Sequence, residues 1–163
     1  WIETKHEYIK EVIRKVDIML FNDMEARQFM NTANLIKASR NILKLGAKCV
    51  IIKKGEHGAL LFSKNSHFSA LSYPQEVVID PTGAGDSFAG ALIGYLARMG
   101  DFNEANLKRA VVMGSVMASF NIEDFSLDRF KKLKAEEISG RYKKFLEYSY
   151  FDPLDENCFI ERS

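Results

Sequence analysis

Cysteine, proline, histidine and tryptophan are all scarce in this 163-residue sequence, at two, three, three and one. Cys49 and Cys158 show no metal-ligand spacing, which excludes a cysteine-built structural zinc centre. Cys49 lies in an apolar run and reads as a small buried hydrophobe. With no disulfide framework, a reducing, cytoplasmic setting is expected. His6, His57 and His67 are scattered rather than clustered, so no histidine metal site is predicted. Proline and glycine never gather into a linker, and no repeat or low-complexity tract appears. Residues 1–163 therefore read as one unit without an internal boundary. Long hydrophobic runs are missing too. Cys49-Val50-Ile51-Ile52 is of the usual length here, far short of a bilayer span. Charge of one sign is also lacking, since 23 Lys and Arg face 22 Asp and Glu for a net +1. No nucleic-acid footprint and no charge-driven disorder follow from that balance. The basic clusters Lys131-Lys132-Leu133-Lys134 and Arg141-Tyr142-Lys143-Lys144 read as solvated helix faces. The chain opens on Trp1-Ile2-Glu3, without Met, without a secretory pattern and already in helical register. A piece of a longer polypeptide is expected.

What is present is a regular alternation of amphipathic helices and short apolar strands. Tyr8, Ile9, Val12, Ile13 and Val16 recur at helical spacing. Residues 17–21 then read as a buried strand, 23–31 and 33–45 as helices ending at Gly46, and 48–53 as a second strand. A turn at 55–58, a return strand at 59–62 and an alternating stretch at 68–73 predict a small antiparallel section. Residues 76–80 read as one more strand. Phe88, Ala91, Leu92, Tyr95, Leu96 and Met99 form one helical stripe stopped by Gly100. A helix over 103–119 follows, with Ala110, Gly114 and Ala118 along one edge, and helices near 127–134 and 135–149 complete the set. The aromatic stretch near Phe145, Tyr148, Tyr150 and Phe151 reads as packing. This alternation predicts an α/β domain with a mostly parallel sheet.

The most informative segment is Asp80-Pro81-Thr82-Gly83-Ala84-Gly85-Asp86, leading into Ser87-Phe88-Ala89-Gly90. Gly83 and Gly85 permit positive φ and close backbone approach to a ligand. The free N–H groups and positive dipole of the following helix favour an anion in front of them. Asp86 lies in the same turn, where a phosphate and an acceptor hydroxyl could meet. The competing reading is a tight connection in which Asp86 only complements the dipole.

Two further motifs follow apolar strands. Asn22-Asp23-Met24-Glu25 is a capping box in all but the hydroxyl. Lys53-Lys54-Gly55-Glu56-His57-Gly58 is a glycine hairpin in which Lys53 and Lys54 face opposite ways. Strands that end together in an open α/β sheet would bring these motifs to one edge, where ligands bind.

The turn at 80–86 closely resembles the D-T-G-A-G-D signature of the PfkB, or ribokinase-like, carbohydrate kinases, with Pro81 the one departure. Residues 22–25 match that family's N-x-x-E motif, and residues 53–58 its K-x-G-x-x-G segment. The order and separations are similar to the C-terminal portion of such a kinase over essentially the whole chain. The resemblance implies a three-layer α/β/α fold, here lacking the N-terminal part and β-lid that carry the acceptor site. It implies ATP and Mg²⁺ as cofactors, a sugar or nucleoside as acceptor, and a homodimer for the full-length protein. Nucleic-acid and membrane partners are not implied.

Carried over residue by residue, the resemblance makes Asp86 the general base and the backbone of Gly83, Ala84 and Gly85 the anion hole. Asn22, Lys53, Gly55, Gly58, Thr82, Gly83 and Gly85 would line the nucleotide site. Gly114 would lie on the helix where some members place an Asn near adenine, an Asn that Met113-Gly114-Ser115 lacks. Glu25 would handle the metal, and Asp80 with Thr82 would hold the monovalent cation of some members. The alternative is a non-catalytic, nucleotide-binding or regulatory fragment on the same scaffold. A capping Glu25 and a metal-facing Glu25 are competing expectations.

Overall fold

The computed structural model describes residues 2, 4–64 and 66–154; Trp1 and Cys158 lie outside them. Along the chain run α1 (His6–Ile13), β1 (Ile18–Asn22), α2 (Asp23–Met30), α3 (Leu35–Leu45), β2 (Cys49–Lys53), β3 (Ala59–Ser63), β4 (His67–Ala70), α4 (Ala84–Met99), α5 (Glu104–Asn121), α6 (Asp128–Lys132) and α7 (Ala135–Ser149). A 3-10 turn, Gly55–His57, joins β2 to β3.

The strands form one sheet in the order β1-β2-β3-β4. β1 and β2 are parallel with Asn22 beside Lys53, while β2–β3 and β3–β4 are antiparallel. The antiparallel section is thus as expected, but the sheet within the described residues is mixed rather than mostly parallel.

The period-two alternation of β2 decides which face each residue serves. Val50 and Ile52 join Phe21, Ile13, Phe29 and Ile42 under α1, α2 and α3. Cys49 and Ile51 join Leu61, Phe88, Leu92, Leu96 and Val111 under α4 and α5. A sheet covered on both faces needs a central strand apolar at consecutive positions, and residues 49–52 supply it. The result is three layers, α/β/α. A third cluster, around Val116, Phe120 and Phe145, seats α7 on α5.

Cys49 is buried in the core, and burial pushes its thiol up to about 12, the setting of a structural rather than a reactive cysteine. Gly46 and Gly100 stop α3 and α4 as positive-φ C-caps. The expected strand at 76–80 is absent among the described residues. Val77, Val78 and Ile79 are more than half exposed. Among the described residues the Ile79 N–H donates to the Ile122 carbonyl at 2.9 Å rather than to a neighbouring strand. A β-branched run is not a strand until a neighbour accepts its ladder.

The basic clusters also divide. Lys131 and Lys132 are solvated. Arg141 instead stacks 3.5 Å from the Phe120 ring centroid and 4.3 Å from that of Tyr73. It also pairs with Glu123 at 2.5 Å, and Arg129 holds the other Glu123 oxygen at 2.8 Å.

Candidate active site

β1 and β2 run in the same direction and end side by side, so Asn22 and Lys53 share one sheet edge. Parity sends Lys53 to the α4 side, because Cys49 and Ile51 already face it. There its ammonium reaches the glycine turn. A β-carbon added at Gly85 would lie 2.6 Å from Lys53 Nζ. Among the described residues the Lys53 ammonium has neither a hydrogen bond nor an ion pair.

The start of α4 has an unusual chemistry for this chain. α2, α3 and α5 are each capped by an asparagine whose Oδ1 accepts the N3 amide, at 2.7, 2.9 and 2.9 Å. α4 is entered through Gly83, at φ 83° and ψ −5°, with no side-chain cap. Its first helical bond runs from the Ser87 N–H to the Gly83 carbonyl at 2.8 Å. The Ala84 N–H is drawn back to the Pro81 carbonyl at 3.2 Å, so this member of the expected anion hole is already engaged. Gly85 and Asp86 precede that first helical bond. An unpaired cation and the positive end of a helix repel each other unless an anion lies between them. The Asp86 side chain is exposed in the same turn.

Asp80 acts as a joint. One oxygen accepts the Thr82 N–H at 2.9 Å and the other the Ser126 N–H at 3.2 Å. Thr82's N–H and hydroxyl, then the Ser126 N–H, hold the Asp80 carboxyl below its usual range. Glu25 closes the capping box: Asn22 Oδ1 accepts the Glu25 N–H at 2.7 Å, and Glu25 Oε2 accepts the Asn22 N–H at 2.8 Å. The capping expectation holds, with one carboxylate oxygen committed to it. Among the described residues no cluster of three or more His, Cys, Asp or Glu is arranged as a metal cage.

The remaining glycines divide by what their missing side chains avoid. Gly55 has open space around it at φ 55°. A β-carbon on Gly58 would meet the Ala70 carbonyl at 2.1 Å, so the backbone of β4 accounts for that glycine. One on Gly114 would touch the Phe88 ring at 3.0 Å. Gly114 is buried where α4 meets α5.

Sequence reasoning missed Asn121. It is fully buried behind Gly83, its Nδ2 donates to the Ser126 carbonyl at 2.8 Å, and its Oδ1 has no partner. An Asn near a helix end is common, and no local signal marks this one. A groove of about 950 Å³ between α3 and the β3–β4 hairpin contains none of the candidate residues.

This layered fold, with a glycine turn meeting a lysine at one sheet edge, is that of the ribokinase-like kinases. The solved aminoimidazole riboside kinase of Salmonella enterica, complexed with its riboside and an ATP analog, superposes with a TM-score of 0.75 at 23% identity. That match covers 86% of this chain and 46% of the other. The ribokinase of Thermotoga maritima gives 0.69 at 27% identity, over 82% and 44%.

The pfkB family carbohydrate kinase profile matches residues 1–131, and the chain belongs to that family. It is 38% identical over 99 residues to the cytidine kinase of Thermococcus kodakarensis, covering 56% of this chain and 36% of that protein. To the ribokinase of Staphylococcus aureus it is 28% identical, over 69% and 37%. The chain thus spans little more than a third of the length of these curated relatives. Among the described residues no helix is long and apolar enough to cross a membrane.

Proposed function

We propose that this chain carries the nucleotide-phosphate half of an ATP-dependent phosphotransferase that acts on a hydroxyl of a sugar or nucleoside. The observation behind the reading is the unpaired Lys53 ammonium lying against the uncapped first turn of α4, beside Asp86. A phosphate fits this donor set: a cation, bare backbone at two glycines and the positive end of a 16-residue helix. Any side chain at Gly85 would take the space next to the ammonium.

Catalysis in such a site is positioning and charge neutralisation. Lys53 and the backbone of Gly83 and Gly85 orient the transferring group and stabilise its charge. Asp86 accepts the proton of the acceptor hydroxyl as that oxygen bonds to the γ-phosphorus and the bond from that phosphorus to the leaving ADP oxygen breaks. No strong base is needed, because the hydroxyl becomes acidic only as the bond forms. Asn22 and Gly55 line the approach of the nucleotide at the same edge. When bound, Mg²⁺ would supply neutralisation of the phosphate charge. Glu25 fits its outer shell through the oxygen that the capping box leaves over. Asp80 and Thr82 fix the turn's entry, and their family association with a monovalent cation belongs to the same proposal.

A second reading on the same scaffold is nucleotide binding without turnover. Two measurements separate the readings. Calorimetry with ATP and Mg²⁺ should show one-site binding, and ADP release over a panel of sugars and nucleosides should reveal turnover with an acceptor. Binding without ADP release favours the second reading; no ATP binding in the presence of Mg²⁺ overturns both.

A further inference from the structure

Asn121 ends α5, and none of its side chain is exposed. Nδ2 donates to the Ser126 carbonyl at 2.8 Å, leaving Oδ1 as the one buried side-chain polar atom without a partner among the described residues. A buried acceptor left unpaired lowers stability. The amide lies against the glycine turn: a β-carbon on Gly83 would lie 3.7 Å from Oδ1 and 3.8 Å from Nδ2. Ser126 closes the circuit. It holds the left-handed conformation at φ 53°, and its N–H donates to Asp80 Oδ2 at 3.2 Å. Asp80 Oδ1 in turn accepts the Thr82 N–H at 2.9 Å. Beside this ring the Ile79 N–H reaches the Ile122 carbonyl at 2.9 Å. The turn that enters α4 is therefore clamped to the end of α5 through one buried carboxamide.

We infer that Asn121 is a positioning residue for the phosphate-facing turn. It sets where Gly83 sits against the Ser126 loop, and it keeps an unpaired acceptor at that contact at the expense of the ligand-free fold. The role of the turn rests on the function proposed above; the clamp itself does not. An apolar residue of similar size removes both the Ser126 bond and the orphaned oxygen. A purely structural asparagine would lose stability on that exchange. A positioning one should hold its stability and lose control of the turn.

The test compares wild type with Asn121→Leu and Asn121→Asp in the full chain. The readouts are thermal unfolding without ligand, amide exchange of residues 82–86 against the interior of α5, and calorimetric affinity for ADP with Mg²⁺. For Asn121→Leu the expected result is an unchanged or higher Tm, faster exchange confined to 82–86, and ADP binding weakened about tenfold, equivalent to about 1.4 kcal/mol. Asn121→Asp keeps Oδ1 but sets an oxygen against the Ser126 carbonyl. It should lower Tm and also speed exchange at 82–86, so the local effect does not depend on the leucine variant folding well. Unchanged exchange at 82–86 in whichever variants fold overturns the clamp. A lower Tm for Asn121→Leu with wild-type ADP affinity reduces Asn121 to a packing residue and also overturns the inference. If wild type itself fails to bind ADP, the proposed function falls, while the exchange data still decide the clamp.

Discussion

Helices α2 and α4 both start where an extended segment meets the same edge of the molecule, yet they treat their free amides in opposite ways. At α2 the chain satisfies itself. Asn22 caps the Glu25 amide, and Glu25 returns the bond to Asn22, a device that stabilises a helix by about 1 kcal/mol. At α4 a left-handed glycine stands where the cap would be, and a lysine without an ion pair comes close to the next glycine. α4 forgoes a stabilisation that α2, α3 and α5 all take. Its 16 residues and the cluster around Phe88, Leu92 and Leu96 make that tolerable. Donors withheld from the fold are donors available to a ligand.

The sharpest way to break this comparison is to act on the open turn's acid. Asp86→Asn should reduce kcat by about 10²–10⁴ if Asp86 is the base, measured as ADP release in the presence of the responding acceptor. Nucleotide affinity should stay near wild type. Equal loss of binding and turnover would make Asp86 a binding residue instead.

Next in size is Gly85→Ala. Alanine in a helical turn is favoured over glycine by about 0.5–1 kcal/mol, so Tm should hold or rise. Its methyl would take the space beside Lys53 Nζ, and nucleotide binding should weaken about tenfold, equivalent to about 1.4 kcal/mol. Calorimetry and thermal unfolding on the same samples check both halves. Unchanged affinity would mean that the lysine plays no part.

The closed turn allows a smaller, two-sided test. Asn22→Ala should lower stability by about 1 kcal/mol, roughly 2–4 °C in Tm for a domain of this size. Glu25→Gln keeps the capping box, since glutamine serves at N3, and should leave Tm unchanged. If Glu25 also reaches the metal's outer shell, Glu25→Gln should need more Mg²⁺ for half-maximal nucleotide binding. An unaltered Mg²⁺ requirement would confine Glu25 to the cap.

Much of this was legible in the chain because it is local. The capping box lies within four residues, Gly46 and Gly100 end helical stripes, and strand parity sends Lys53 to the α4 side. The misreadings share a cause, since each depends on a partner far away in sequence. Val77-Val78-Ile79 has strand chemistry, but the Ile79 N–H goes to the Ile122 carbonyl rather than to a neighbouring strand. Arg141 is drawn from the solvated face by Glu123, Phe120 and Tyr73. Asn121 acquires meaning only when α5 is laid behind the turn. Motif spacing records which residues share a loop, not what lies beneath it.

The mildest test concerns how the open turn is held without a cap. Asp80 grips Thr82 with one oxygen and Ser126 with the other, and those bonds depress its pKa in the folded chain. A depressed carboxyl pKa stabilises the fold above the unfolded value, about 3.9 for Asp. That contribution is lost as pH falls through the lower folded value. The Tm of wild type should therefore exceed that of Asp80→Asn at neutral pH, and the gap should close on acidification below the ordinary carboxylate range. The gap should be smaller than the loss in Asn22→Ala, because Asp80 is not enclosed and solvent screens it. A gap independent of pH would mean that geometry, not charge, holds the turn. The open and closed helix starts would then differ only in which side chain makes the bond.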